Sequence, residues 1–332
     1  MNMKKIGVSA LAGSLAMVSA NAAELSVAGK TELTYTTKPG DVTGNPFGFG
    51  NSITFNGSGD VNGMTASYFA AIKDGGAAGF ASSNLTLDMG EMGMVGFDQG
   101  VGTFGVSTID DKMPYAYEEV WSNTGGSAGL RAAGGSTNVL GYKGTFSGLT
   151  INAEMNPGTK TAAANTGDGG TSGDGYSKTG SNIAITTDGA MLGVDGLSIG
   201  AGYGQEKDTQ TGTHSEDDEF MTAFATYAMG AATVGVQVSE GNGGSTGASG
   251  NSVEMYGISF SVNENLAVSY NEVNNTYNKA SAADVEEENR GFGASYTMGS
   301  ASVRVLANET DNVGGTQASN KEAIELSLML AF

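Results

Sequence analysis

Few side chains in this chain could do covalent chemistry, and their spacing argues against it. The one histidine, His214, stands in the charged stretch Lys207 to Glu216. A Ser-His-Asp triad would have to use it, and no Gly-x-Ser-x-Gly elbow precedes a helix. A surface residue is the plainer reading of His214. What the chain does gather is carboxylate. Asp110, Asp111, Glu118 and Glu119 fall in one short run with Tyr115 and Tyr117 between them. Such a group attracts cations, and the plain alternative is a solvated loop. Two further acidic runs, Asp168 to Gly175 and Glu216 to Glu219, offer oxygens of the kind Ca²⁺ takes. They lack EF-hand spacing, so no cofactor is expected, with loop-bound Ca²⁺ as the one candidate. The pieces Gly200-Ala201-Gly202 and Gly291-Phe292-Gly293 lie in strand-like stretches with no helix following, which excludes a nucleotide loop.

These residues must be positioned by strands. The final stretch reads K-E-A-I-E-L-S-L-M-L-A-F. Ile324, Leu326, Leu328, Leu330 and Phe332 alternate with Ala323, Glu325, Ser327, Met329 and Ala331. Period two is a β-strand with one oily and one mixed face. At about 3.3 Å per residue the stretch is long enough to cross a bilayer at a tilt. An exposed apolar edge invites aggregation. A barrel removes that edge by pairing the last strand with the first, whereas an ordinary sandwich strand is the alternative.

The opening residues predict a secretory signal over residues 1–22. Lys4 and Lys5 precede an apolar run from Ile6 to Val18, and Ala20 and Ala22 form the small-residue pair before a cut. The mature domain is then 23–332. No later stretch approaches eighteen uninterrupted apolar residues, so no helix is expected to span a membrane. Cysteine is absent, which excludes a disulfide framework and leaves strand pairing and burial to supply stability. The formal charge of −20 becomes −22 once Lys4 and Lys5 leave, so nucleic acid is not an expected partner. Mean hydropathy is only −0.15. A wide barrel has such an average, because half of each strand faces water.

Sixteen stretches carry strand character. The first is Glu24 to Thr36, with Leu25, Val27, Leu33 and Tyr35 on one face and Ser26, Lys30, Glu32 and Thr34 on the other. The fourth falls between Ser83 and Asp98, with Gly90 and Gly93 read as a bulge. The fifth is Thr103 to Ile109, from the alternation of Phe104 and Val106. The sixth is Ser136 to Phe146. Long connections alternate with short ones; the turn near Asp188 to Gly196 is the exception. A transmembrane barrel requires that alternation, and a sandwich has no cause to sort its loops by parity. Tyr35, Tyr68, Tyr142, Phe146, Tyr203, Phe260, Tyr270, Tyr296 and Phe332 suggest aromatic girdles.

Gly102-Thr103-Phe104-Gly105-Val106, the acidic loop Asp110 to Glu119, Leu130-Arg131-Ala132-Ala133-Gly134-Gly135, Tyr142 to Leu149 and the terminal Phe332 together resemble a Gram-negative general porin of the compact alphaproteobacterial type. The resemblance covers the mature chain in element order. It implies an all-β fold: a 16-stranded antiparallel transmembrane barrel with short periplasmic turns. Its third loop, about 110–135 here, folds inward as a constriction. It also implies an outer-membrane location, a homotrimer, and Phe332 as the signal read by the barrel-assembly machinery. In that family, carboxylates on the inward loop face basic wall residues. Asp110, Asp111, Glu118 and Glu119 match the acidic side. Lys30, Arg131, Lys143 and Arg304 are the candidates for the basic side, and Lys30, Lys143 and Arg304 fall on the polar face by parity. The family's arginine ladder on strands 2 and 4 has no match here. The expectation is a water-filled, cation-preferring channel for small hydrophilic solutes, with no enzyme chemistry. A solute-specific channel, or a barrel serving as adhesin or structural protein, are the alternatives.

Overall fold

A computed structural model describes residues 25–41, 44–73, 80–127, 137–157, 178–208, 217–242, 250–279 and 283–332. The signal segment and Arg131 lie outside these residues. Sixteen antiparallel strands close on themselves. They are β1 (Leu25–Thr37), β2 (Phe47–Val61), β3 (Met64–Lys73), β4 (Ser82–Asp88), β5 (Met94–Gln99), β6 (Thr137–Phe146), β7 (Leu149–Asn156) and β8 (Lys178–Asp188). The second half comprises β9 (Leu197–Asp208), β10 (Asp218–Met229), β11 (Ala232–Asn242), β12 (Gly250–Ser261), β13 (Leu266–Asn278), β14 (Val285–Met298), β15 (Ala301–Asp311) and β16 (Lys321–Ala331). The seam runs from Lys30 opposite Ala331 to Thr37 opposite Ile324. Phe332 extends it: its N–H donates to the Gly29 carbonyl at 2.8 Å, and its carbonyl accepts from the Gly29 N–H at 3.2 Å. No backbone edge is left open, which is what a strand structure in hydrocarbon requires.

Alternation fixes which face is which. On β16, Ile324, Leu326 and Leu328 point outward and are exposed, while Ala323, Glu325 and Ser327 point inward and are buried. On β1 the outward set is Leu25, Val27, Leu33 and Tyr35, so Lys30, Glu32 and Thr34 share the inward face. A register slip of one residue would turn the inward carboxylates Glu32 and Glu325 toward lipid. The short turns gather at one end of the barrel. Asn62-Gly63 and Ser147-Gly148 both have two consecutive positive φ values, the backbone that a two-residue hairpin demands and that glycine adopts without strain.

Two strand boundaries differ from the sequence reading. The stretch from Ser83 to Asp98 is not one bulged strand. It is β4 and β5, with a turn of 3₁₀ helix at Gly90–Met92 between them. Thr103 to Ile109 is not a wall strand at all. It leaves the wall after Gln99 and runs inside the barrel, with 3₁₀ helix over Gly105–Ile109. The alternation of Phe104 and Val106 is real, but these side chains, and Ile109 after them, are fully buried against the inner wall. The two errors cancel in the count.

Candidate functional site: an acidic loop inside the barrel

Asp98 launches the loop. Its buried carboxylate accepts from the N–H groups of Val101 and Thr103, both at 2.7 Å. Phe104 then enters a slot made by glycine: a Cβ on Gly96 would lie 2.8 Å from the Phe104 ring, and one on Gly141 would overlap it. The same device recurs along the path. Val106 and Ile109 lie over Gly202, and Pro114 lies over both Gly235 and Gly257. Glycine inside these strands is therefore a track cut for the loop, which explains part of the chain's glycine usage.

Amide and hydroxyl side chains of the wall hold the loop by its backbone. Asn182 on β8 accepts from the Val106 N–H at 2.8 Å. Gln237 on β11 accepts from the Lys112 N–H at 2.9 Å and donates to the carbonyls of Ile109 and Asp110. On β13, Ser269 accepts from Ala116 N–H and Asn271 donates to the Pro114 carbonyl. On β15, Asn308 donates to the carbonyls of Val120 and Ser122, both at 2.7 Å. Met113, Val120, Tyr115 and Trp121 pack on Val253, Met255 and Val273. That packing holds both aromatic rings against the wall. The contacts run from β4, where Asn84 donates to the Thr103 hydroxyl at 2.7 Å, round the wall to β16 and then β1. Inward by register on β2–β4 are Thr54, Asn56, Ser67 and Thr86, together with the charged Asp60, Lys73 and Asp88 toward the strand ends.

The four acidic residues divide into two groups. Asp110 and Asp111 sit beside β11, with Glu119 near enough to repel both. Burial raises the Asp110 carboxyl above the usual aspartate value, against the opposing pull of the Asp111 N–H and Lys112. Burial, reinforced by Glu119 and Asp110, raises Asp111 further, to about 6, although the Met113 N–H donates to it at 2.9 Å. The Tyr115 hydroxyl adjoins Asp111 without a well-formed hydrogen bond. Burial and these neighbouring carboxylates keep its phenol neutral. Glu118 lies at the other end, raised by burial and by Glu325. It lines a cavity of about 400 Å³ with Glu32, Thr34, Gly50, Ser122, Asn123 and Glu325.

The basic candidates do not form a facing wall. Arg304 lies under the loop, with its guanidinium 4.5 Å from the Tyr117 ring centre. It is paired with Glu32 and also donates to Ser327. Tyr117 donates to Glu325 at 2.6 Å, and Asn123 donates to the same carboxylate. Lys30 and Lys143 are inward by parity and exposed, and form no ion pair among the described residues. Arg131 lies outside those residues. Lys112, inside the acidic group, was not singled out from sequence. Neither was Glu325, although its parity in the last strand marked it as inward. Among the described residues no group of three or more His, Cys, Asp or Glu side chains is arranged for a metal. The acidic run at 168–175 and Glu216 fall outside them.

A family model described as Gram-negative porin matches residues 7–327. No curated protein matches the chain. Among solved structures, the trimer form of OmpT, an outer membrane protein of Vibrio cholerae, is similar with a TM-score of 0.68 at 12% identity, covering 93% of this chain and 99% of that one. An anion-selective porin from Comamonas acidovorans gives 0.64 at 18% identity, with 93% and 99% covered. A variant of the Rh. blastica porin gives 0.60 at 15%, with 93% and 100% covered. At these identities the likeness is one of fold.

Proposed function

Because the chain belongs to the Gram-negative porin family, we propose that it forms a cation-preferring, water-filled channel for passive diffusion of small hydrophilic solutes across the outer membrane. Family and fold point to a channel rather than an enzyme. A barrel of sixteen strands is too wide for its side chains to fill, and the inward loop narrows what remains. The observation that carries the cation preference is the imbalance of charge at the constriction. Asp110, Asp111, Glu118 and Glu119 lie on the loop, while Arg304, the inward wall arginine among the described residues, is already paired with Glu32. Carboxylates lining a narrow pore favour cations. The anion selectivity named for the Comamonas acidovorans protein is thus a property this chain's charges oppose. The variant carrying D110N, D111N, E118Q and E119Q tests the reading: its reversal potential in a salt gradient should move toward zero. An unchanged potential would refute the role of the loop.

The cavity beside Glu118 favours a second reading, a channel with a saturable site for cationic solutes. Saturation of single-channel current with solute concentration would separate it from simple diffusion. A homotrimer in outer-membrane lipid is proposed from the trimer form of the Vibrio cholerae protein. An oligomer that collapses on boiling, seen on a gel, tests it. Phe332, which completes the seam through Gly29, is proposed as the residue read by the barrel-assembly machinery.

A further inference from the structure

Glu287 faces inward on β14 and is completely buried, and none of its hydrogen-bond partners among the described residues is basic. One carboxylate oxygen accepts from the Ser127 N–H at 2.7 Å and from Asn289 Nδ2 at 3.0 Å. The other accepts from the Gly314 N–H at 2.6 Å and from the Tyr277 hydroxyl at 3.4 Å. Ser127 is on the constriction loop, at its far end from Asp98. Gly314 is in the outer connection between β15 and β16. One side chain therefore holds two loops far apart in sequence.

We propose that Glu287 is a positioning residue that clamps the far end of the constriction loop and couples it to the outer loop 312–320. The chemistry demands a carboxylate. Both oxygens are acceptors, and both meet donors. A glutamine would present an NH₂ to one of the two backbone N–H groups, leaving donor facing donor. Two buried oxygens that both accept from backbone N–H groups cannot be replaced by a side chain with a single acceptor without leaving a donor unsatisfied. The outer loop is further held by Lys279, whose Nζ donates to the Gly315 carbonyl at 2.9 Å. Gly315 itself lies against the Tyr277 ring, where a Cβ would come within 2.8 Å. The constriction loop has a separate anchor beside the clamp: Thr124 and Thr310 share a hydrogen bond of 2.6 Å, and Thr310 donates to Asn289 at 2.7 Å. Thr310 and Val313 also lie against the constriction loop, but Glu287 is the side chain among these groups whose two oxygens bond directly to the backbone of both loops. The surface mouth and the eyelet move together.

The chain has no cysteine, so single cysteines report cleanly. Gln317 is exposed in the outer loop. The test loads Q317C with biotin-maleimide and streptavidin in full-length protein, in planar bilayers, with Glu287 intact and with E287Q. The coupling predicts that E287Q alone raises the time spent in reduced-conductance states roughly tenfold, the population shift that loss of one charge-assisted clamp allows. It also predicts that loading Q317C changes the current fluctuations with Glu287 intact and leaves those of E287Q unchanged. Equal effects in both backgrounds would mean simple obstruction of the mouth, and no effect in either would mean no coupling. Both results overturn the proposal. Should E287Q fail to assemble, nitroxide mobility at S127C and at Q317C is compared in E287D. The shortened side chain should loosen both sites together, and loosening of only one, or of neither, overturns the clamp.

Discussion

Lowering the pH from 7 to 5 should weaken the cation preference of the channel, and Asp111 sets the midpoint. Burial and the neighbouring Glu119 and Asp110 hold the Asp111 carboxyl at about 6. Asp111 is then about nine-tenths ionised at pH 7 and about one-tenth at pH 5. A unit charge about 7 Å from the ion path is worth about 0.6 kcal/mol in water, or roughly threefold in local cation concentration. About 0.8 of a charge is lost, which changes cations about twofold one way and anions about twofold the other, so the cation-to-anion permeability ratio should fall about fivefold across this window, most visibly at low ionic strength where screening is weak. The sign for the loop is opposite. A carboxyl raised on folding contributes stability that is present below its ordinary value and lost as pH rises through about 6. Acid should thus tighten the loop, and current noise should not grow as selectivity falls. The assay is reversal potential against pH for wild type and D111N, which keeps the acceptor for the Met113 N–H. D111N should have a low ratio at pH 7 and no step near pH 6. A step that persists in D111N, or a wild-type midpoint near an ordinary aspartate value, would refute the reasoning.

Removing Arg304 acts the other way. R304Q frees Glu32 and removes a cation–π contact with Tyr117 worth about 0.5–1 kcal/mol, so cation preference should rise in reversal-potential measurements. Gln237 satisfies three backbone groups of the loop. Q237A should cost about 1–3 kcal/mol and produce noisier single channels while the gel mobility of the folded barrel is kept. G141A fills the slot of Phe104 and should expel the start of the loop, giving larger conductance or loss of folded barrel on a gel. Conductance unchanged in a folded G141A barrel would contradict that packing.

Barrel closure was legible because period two in β16 and the parity of connection lengths both follow directly from a wall with one wet and one oily face. The entry to the loop was not. Phe104 and Val106 alternate as a strand would, and only the glycine slots on β5, β6 and β9, remote in sequence, show that they pack inside the barrel. The acidic residues were legible by type. Their grouping was not, because Glu325 and Glu32 reach Glu118 only once β16 closes on β1. Arg304 looked free for the same reason, since its partner Glu32 lies two strands away across the seam. The wall amides Asn182, Gln237, Asn271 and Asn308 looked like ordinary water-facing residues. Nothing in their spacing reveals that they bind the backbone of a loop.

The central claim is a narrowed, acidic, open channel. The most direct test is the reversal potential of the purified wild-type protein in a planar bilayer under a salt gradient at neutral pH. The account predicts stepwise channels whose potential reverses on the cation side. Reversal on the anion side would contradict the charge assignment, and folded protein that forms no channels would contradict the account as a whole.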